Sequence, residues 1–263
     1  MHILFDIGGT NMRVAASGDL KSFSQPLIYP TPQNFDEGVT LFKSLCDQLR
    51  SGEKIESVAG GIAAVVDLLE KKILRAPHLK DWEGKQFPCD FLQNDAALGA
   101  LGEAVYGAGK GKEIVAYVTI GTGVGGARVV QGKIDKNSSG FEPGHHILNG
   151  TKSFEEMVSG TAVLKRYDKE AYNISDIKIW EELAGWTAIG LYNTALYWSP
   201  NILILGGSMM VKEPAIPMDK IRAALSELKP VFSSMPLIEK AALGDLAGIW
   251  GAMEYLRSSM YIP

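Results

Sequence analysis

The chain opens on an apolar run, His2 to Phe5, interrupted at Asp6 and by Gly8-Gly9-Thr10-Asn11, and resumes over Met12 to Ala16. That pattern predicts a strand, a Gly-rich turn and a returning strand. A third strand is expected at about Phe23 to Tyr29, ended by Pro30 and Pro32. Asn34, with Glu37 three residues on, reads as a helix start. Val39, Phe42, Leu45, Cys46 and Leu49 follow at helical spacing, and Gly52 closes the helix. Val58 to Val66 predicts a buried strand with its loop. Phe91-Leu92-Gln93 predicts another strand, and Asn94-Asp95 the start of a helix through Ala104, stopped by Gly107 and Gly109.

The second half begins like the first. Ile114 to Ile120 predicts a strand, Gly121 to Gly126 a Gly-rich turn, and Ala127 to Val130 a returning strand. Helices are expected over Phe154 to Tyr167 and Ile179 to Tyr197, then a strand over Ile202 to Leu205 ending in Gly206-Gly207-Ser208, and a last helix over Leu246 to Leu256. Asp6-Ile7-Gly8-Gly9-Thr10 and Thr119-Ile120-Gly121-Thr122-Gly123 therefore form an internal repeat. Glycine lets backbone N–H groups approach an anion closely. Two such turns facing each other across a cleft would hold the phosphates of one nucleotide.

Composition narrows the class. Apolar residues make up 46% of 263 positions, enough for a substantial core or two domains. No stretch approaches the roughly 20 apolar residues of a membrane span, and Asp6 follows the N-terminus too closely for a signal peptide. The formal charge of −4 argues against a nucleic-acid surface. Two cysteines, Cys46 and Cys89, make neither a disulfide framework nor a Cys-rich zinc site. These features predict a soluble cytoplasmic protein.

Each candidate motif carries a plain alternative. Gly121-Thr122-Gly123-Val124-Gly125-Gly126 fits G-x-G-x-x-G, but a dinucleotide fingerprint must open a helix, and Ala127-Arg128-Val129-Val130 predicts a strand. The choice left is a bare hairpin or a phosphate turn. Asp6, ending the first strand, is either a turn-capping residue or a carboxylate meeting Mg²⁺ carried by a nucleotide. Asp95, where a strand passes into a helix, either complements the helix dipole behind an Asn94 cap or accepts a hydroxyl proton during attack on a phosphoryl group. Glu142-Pro143-Gly144-His145-His146 holds two of the four histidines. Neighbouring residues diverge, so the segment is either a polar loop or a ligand-recognising one, rather than a zinc site.

Together the motifs resemble the ROK (repressor, open reading frame, kinase) sugar kinases and related bacterial glucokinases. Asp6 to Asn11 and Thr119 to Gly126 are similar to their two phosphate motifs. Gln93-Asn94-Asp95-Ala96-Ala97 with Gly102-Glu103 is similar to the catalytic segment, Glu142 to His145 to E-x-G-H, and Leu203 to Gly207 to the nucleotide-side turn. The resemblance implies an α/β protein of the actin-like ATPase (ribonuclease H-like) fold, two domains with a duplicated core flanking a cleft. A smaller domain is expected over 1–108, with a helix at about 246–258 packing back on it, and a larger one over 109–263.

The resemblance further implies ATP-dependent phosphorylation of a hexose, foremost glucose at O6, with Asp95 as general base. Asn94, Glu142, His145 and Glu155 would bind the sugar. Asp6, Gly8, Gly9, Thr10, Asn11, Gly121, Thr122, Gly123, Gly206 and Gly207 would serve the nucleotide, Asp6 through Mg²⁺. A homodimer is implied as well. Other sugars (N-acetylmannosamine, N-acetylglucosamine, fructose), polyphosphate as donor, a sugar-responsive regulator and a silent sugar-binding protein are the alternatives. Regulators of the family carry a helix-turn-helix before the first motif, for which Asp6 leaves no room. Two departures stand out. Many members carry C-x-C-G-x-x-G-C-x-E where this chain reads Leu148 to Glu155 without cysteine, which argues against structural zinc. Where many read Pro-Asn-Leu, it reads Pro77-His78-Leu79 before Trp82.

Overall fold

The computed structural model describes residues 1–229, 231–232 and 234–260. In chain order the elements begin with β1 (His2–Ile7), β2 (Asn11–Ser17), β3 (Leu27–Pro30), α1 (Phe35–Arg50), β4 (Ser57–Ile62), β5 (Val65–Asp67), β6 (Lys72–Arg75), β7 (Phe91–Asn94) and α2 (Asp95–Val105). There follow β8 (Ile114–Ile120), β9 (Val124–Val130), β10 (Lys133–Ile134), β11 (Ile147–Asn149), β12 (Lys152–Ser153), α3 (Phe154–Val158), α4 (Gly160–Tyr167) and α5 (Ile177–Trp198). The last are β13 (Ile202–Gly206), α6 (Ser208–Val211), α7 (Met218–Glu227), β14 (Leu237–Lys240) and α8 (Ala247–Met260).

The chain forms two compact units. The first comprises Met1–Val105, Asn137–Gly140 and the stretch from Leu246; the second comprises Tyr106–Lys136 and Phe141–Asp245. Each is built on a five-stranded sheet, ordered β3-β2-β1-β4-β7 in the first and β10-β9-β8-β13-β14 in the second. In both, an antiparallel hairpin is extended by two parallel strands: β1 pairs with β2 and runs parallel to β4, as β8 pairs with β9 and runs parallel to β13. The repeat seen in the two Gly-rich turns is thus a repeat of whole sheets.

In the first unit Phe5, Phe42, Trp82 and Phe87 pack ring against ring, and the Trp82 indole N–H donates to the Pro32 carbonyl at 3.2 Å. Helices α2 and α8 cross where a side chain at Gly251 would strike the Leu98 carbonyl and one at Gly102 the Ala247 carbonyl. Only residues without a Cβ permit backbones this close. Asn34 caps α1 by accepting from the Glu37 N–H at 3.0 Å, and Ser51 in the left-handed region ends the helix before Gly52. In the second unit Phe154, Leu183, Ala188, Leu191, Leu203 and Leu205 form the core between α3, α5 and the sheet.

Several elements differ from the sequence expectation. The third strand is shorter, and it includes Pro30, which an edge strand tolerates because it needs no ladder N–H on its outer side. Residue Phe23 packs instead on Trp250, ring centroids 4.9 Å apart. The single helix expected over Phe154 to Tyr167 is two, broken at Ser159, whose extended backbone (ψ 159°) starts α4 and whose hydroxyl accepts from the Ala162 N–H. The β5–β6 and β11–β12 hairpins, β10, α6 and β14 have strands or helices too short for a periodic signal; α7 carries one, Ile221 and Leu225 on one buried face, that the sequence expectation omits.

Candidate active site

In the first unit the parallel strands align Ile7, Ile62 and Asn94 in one row at their carboxyl ends. This is where open α/β sheets bind ligands. The turn after Ile7 and the helix start after Asn94 therefore share one sheet edge, two strands or about 10 Å apart. The turn is pinned through its carbonyl side. Gly8 N–H donates to the Asn11 carbonyl (2.9 Å), the Thr31 hydroxyl to the Gly8 carbonyl (2.8 Å), and the Thr31 N–H to the Thr10 carbonyl (2.9 Å). Among the described residues the amides of Gly9 and Thr10 have no acceptor, the arrangement a phosphate turn requires.

Asp6 lies across the hairpin from Arg13, whose guanidinium is 3.6 Å from the Asp6 carboxylate, both side chains being mostly buried. Gly248, in the first turn of α8, brings that helix's backbone against the Asp6 carboxyl: a Cβ there would lie 2.5 Å from Asp6 Cγ. A cation and a helix amino end thus offset one carboxylate. The Arg13 contribution was not anticipated. His78 packs against the same turn, its Cβ 2.7 Å from where a Gly9 Cβ would stand.

Asn94 performs its capping role. Its Oδ1 accepts from the Ala97 N–H (3.0 Å), and its Nδ2 donates to the Ala64 carbonyl (3.1 Å). One N–H of that amide and one lone pair remain for a ligand. Asp95 opens α2, half-buried, its backbone pressed on Gly61 of β4, where a Cβ would lie 3.0 Å from Asp95 Cα.

In the second unit the remaining residues converge on Val124. The turn Gly121–Gly123 is closed by Gly121 N–H to the Gly123 carbonyl (2.9 Å). Its other carbonyls are taken by the start of α4: Gly160 N–H donates to Gly121 (2.8 Å) and the Thr161 hydroxyl to Thr122 (2.7 Å). Val124, next in chain, donates its N–H to Glu155 Oε2 at 2.7 Å. Its carbonyl lies against Gly144, where any Cβ would collide with it. Glu142 and His145 flank Gly144, exposed, with His145 Nε2 3.9 Å from the Glu142 carboxylate. Because β9 begins at Val124, no helix follows the turn, and the dinucleotide reading is excluded. Gly206 and Gly207 end β13. Tyr117 fills the space beside Gly206, and Gly207 adopts φ +85° where any Cβ would strike the Ile120 carbonyl.

Sequence reasoning missed Thr31, Thr161 and the Val124 amide. Each acts through the backbone of a turn that is remote from it in sequence or hidden in a strand, so no motif flags it. His146 departs from its neighbour: it turns inward and stacks on Phe154, and burial lowers its pKa. Burial also pushes the thiols of Cys46 and Cys89 up to about 12. Among the described residues no group of three or more His, Cys, Asp and Glu could hold a metal ion. Asp6 alone fits a Mg²⁺ that arrives on a nucleotide, since that ion needs only one or two carboxylates besides phosphate and water. Among the described residues no helix is long and apolar enough to cross a membrane.

Two units with the same hairpin-plus-parallel-strand sheet, each with a bare turn after its first strand, define the α/β actin-like ATPase (ribonuclease H-like) fold with a duplicated core. The sequence profile of the ROK family matches residues 3–258, and the chain belongs to that family. It is 26% identical to the glucokinase of Streptomyces coelicolor over 96% of each chain. It is 25% identical to the N-acetyl-D-glucosamine kinase of Histophilus somni, over 96% of this chain and 97% of that one. Among solved structures it resembles a ROK family glucokinase from Streptomyces griseus in complex with glucose and AMPPNP. That likeness has TM-score 0.81 and 24% identity, covering 98% of this chain and 99% of the other.

Proposed function

We propose that the protein transfers the terminal phosphoryl group of ATP to a hexose hydroxyl, foremost O6 of glucose. The observation that carries this reading is the hydrogen bond from the Val124 N–H to Glu155, which ties the residue after a Gly-rich turn to one of the expected sugar-binding carboxylates within one unit. Asp95 accepts the hydroxyl proton, a role worth about 10²–10⁴-fold. Asn94, Glu142, His145 and the second oxygen of Glu155 bind sugar hydroxyls. The amides of Gly9, Thr10, Thr122 and Gly123, which have no acceptor among the described residues, bind phosphate oxygens, with Gly206 and Gly207 towards the nucleoside. Phosphoryl transfer rests chiefly on such positioning and electrostatic stabilisation. Asp6 would hold Mg²⁺, which when bound supplies charge neutralisation at the phosphates.

A first domain over 1–108 with the helix at about 246–258 packing back on it, a second over 109–263, a cytoplasmic setting and a homodimer belong to the same reading. The likeness to an N-acetyl-D-glucosamine kinase supports a second substrate reading, an N-acetylated amino sugar. The deciding experiment supplies purified protein with a panel of hexoses and N-acetyl sugars, with ATP and polyphosphate as donors. Glucose 6-phosphate formed from ATP and Mg²⁺ supports the first reading. Turnover of an N-acetyl sugar in its place supports the second, turnover with polyphosphate alone replaces the donor, and binding without turnover refutes the kinase reading.

A further inference from the structure

Adjacent histidines here do opposite things. His145 is exposed, whereas the ring of His146 lies parallel to that of Phe154, 10° between planes and 5.4 Å between centroids. His146 Nε2 is buried without a hydrogen-bond partner among the described residues. An unpartnered buried nitrogen carries a desolvation penalty that a stacked aromatic pair only partly offsets. For stability alone an apolar residue would serve better, so the ring earns its place some other way.

The contacts around it close a circuit. Gly144 presses on the Val124 carbonyl, the Val124 N–H donates to Glu155, and Glu155 follows Phe154, which is fully buried on Gly190 of α5. The Phe154 N–H donates to the His146 carbonyl at 2.9 Å, and His146 leads back through His145 to Gly144. The stretch between, 147–153, contains no cysteine and forms only a two-stranded hairpin with a broken register.

We propose that His146 is a positioning residue for sugar binding: its ring, laid on Phe154, fixes the carboxylate of Glu155 between the Val124 amide and the bound sugar. This rests on the sugar-kinase reading of Glu155. Burial keeps the imidazole neutral, so the stack bears no buried charge.

The test uses His146→Leu, which keeps apolar volume and removes the flat ring, and His146→Phe, which restores the ring without the nitrogen. The nuclear magnetic resonance signal of the Val124 amide reports its bond to Glu155, and KM for glucose and kcat report function. The Leu variant should melt no lower than wild type, shift the Val124 amide, and raise KM about tenfold with kcat changed far less. The Phe variant should restore both readouts to wild-type values. An unmoved Val124 amide or an unmoved KM in a folded Leu variant overturns the proposal, as does a Phe variant as impaired as Leu. If wild-type protein phosphorylates no sugar, the kinase reading fails, and the Val124 amide alone decides the clamp.

Discussion

The two Gly-rich turns share a sequence pattern and a place after the first strand of a five-stranded sheet, yet they are held by different means. The turn after Ile7 is fastened by Thr31 at the sheet edge, with a mostly buried ion pair, Asp6 and Arg13, at its base. The turn after Ile120 is fastened by the start of α4 through Gly160 and Thr161, and its last amide neighbour, Val124, by the carboxylate of Glu155. In both, the carbonyls are occupied, and among the described residues the amides of Gly9 and Thr10, and of Thr122 and Gly123, have no acceptor. Both turns are therefore held by hydrogen bonds to their carbonyls, the first with a mostly buried ion pair added in its own hairpin, the second with a carboxylate, Glu155, from the short helix α3, which bears one of the expected sugar residues. On the proposed function, the second turn is the one wired to the sugar.

The largest expected effect leaves both turns intact. Asp95→Ala should lower kcat about 10²–10⁴-fold with affinity for a fluorescent nucleotide unchanged; wild-type turnover would refute the assignment. Glu155→Ala, which removes support from the second turn, should lower kcat/KM for sugar about 10²-fold. Glu155→Gln should lose less, because its amide oxygen still accepts the Val124 N–H. Equal losses would show that the Val124 link is idle. Arg13→Ala strips the cation from Asp6 and should cost about 3 kcal/mol in urea unfolding, whereas Thr161→Val should cost about 1 kcal/mol. If the two costs prove equal, the contrast between charge support and hydrogen-bond support collapses.

The smallest effect is a reporter. Both cysteines belong to the first unit, and a thiol titrating at about 12 is ionised about one part in 10⁴ at pH 8. Native protein should resist a thiol reagent that labels both residues in denaturant. Arg13→Ala should speed native labelling and Thr161→Val should not; equal acceleration would mean that the two units open together.

Much of this was legible because it depends on local rules. The bare turns between apolar strands, the Asn34 cap with its helical stripe, and Asn94 as a cap all appear where the pattern put them. The breaks in legibility have equally specific causes. Helix 154–167 divides at Ser159 because Gly160 N–H is taken by the Gly121 carbonyl, some forty residues earlier in the chain, a pull no local periodicity records. The third strand starts late because Phe23 finds Trp250, more than two hundred residues away.

By itself the sequence determined that there are two copies of a strand–turn–strand unit and which residue types could do chemistry in them, since glycine content, apolar alternation and caps act over a few residues. Tertiary structure decided what each of those residues does. It set Asp6 opposite Arg13, handed the Val124 amide to Glu155, and turned His146 inward while leaving His145 in solvent. Those outcomes depend on backbone groups and rings brought together from distant segments, where burial and the need to satisfy each buried polar atom choose among side chains that the sequence alone leaves equivalent.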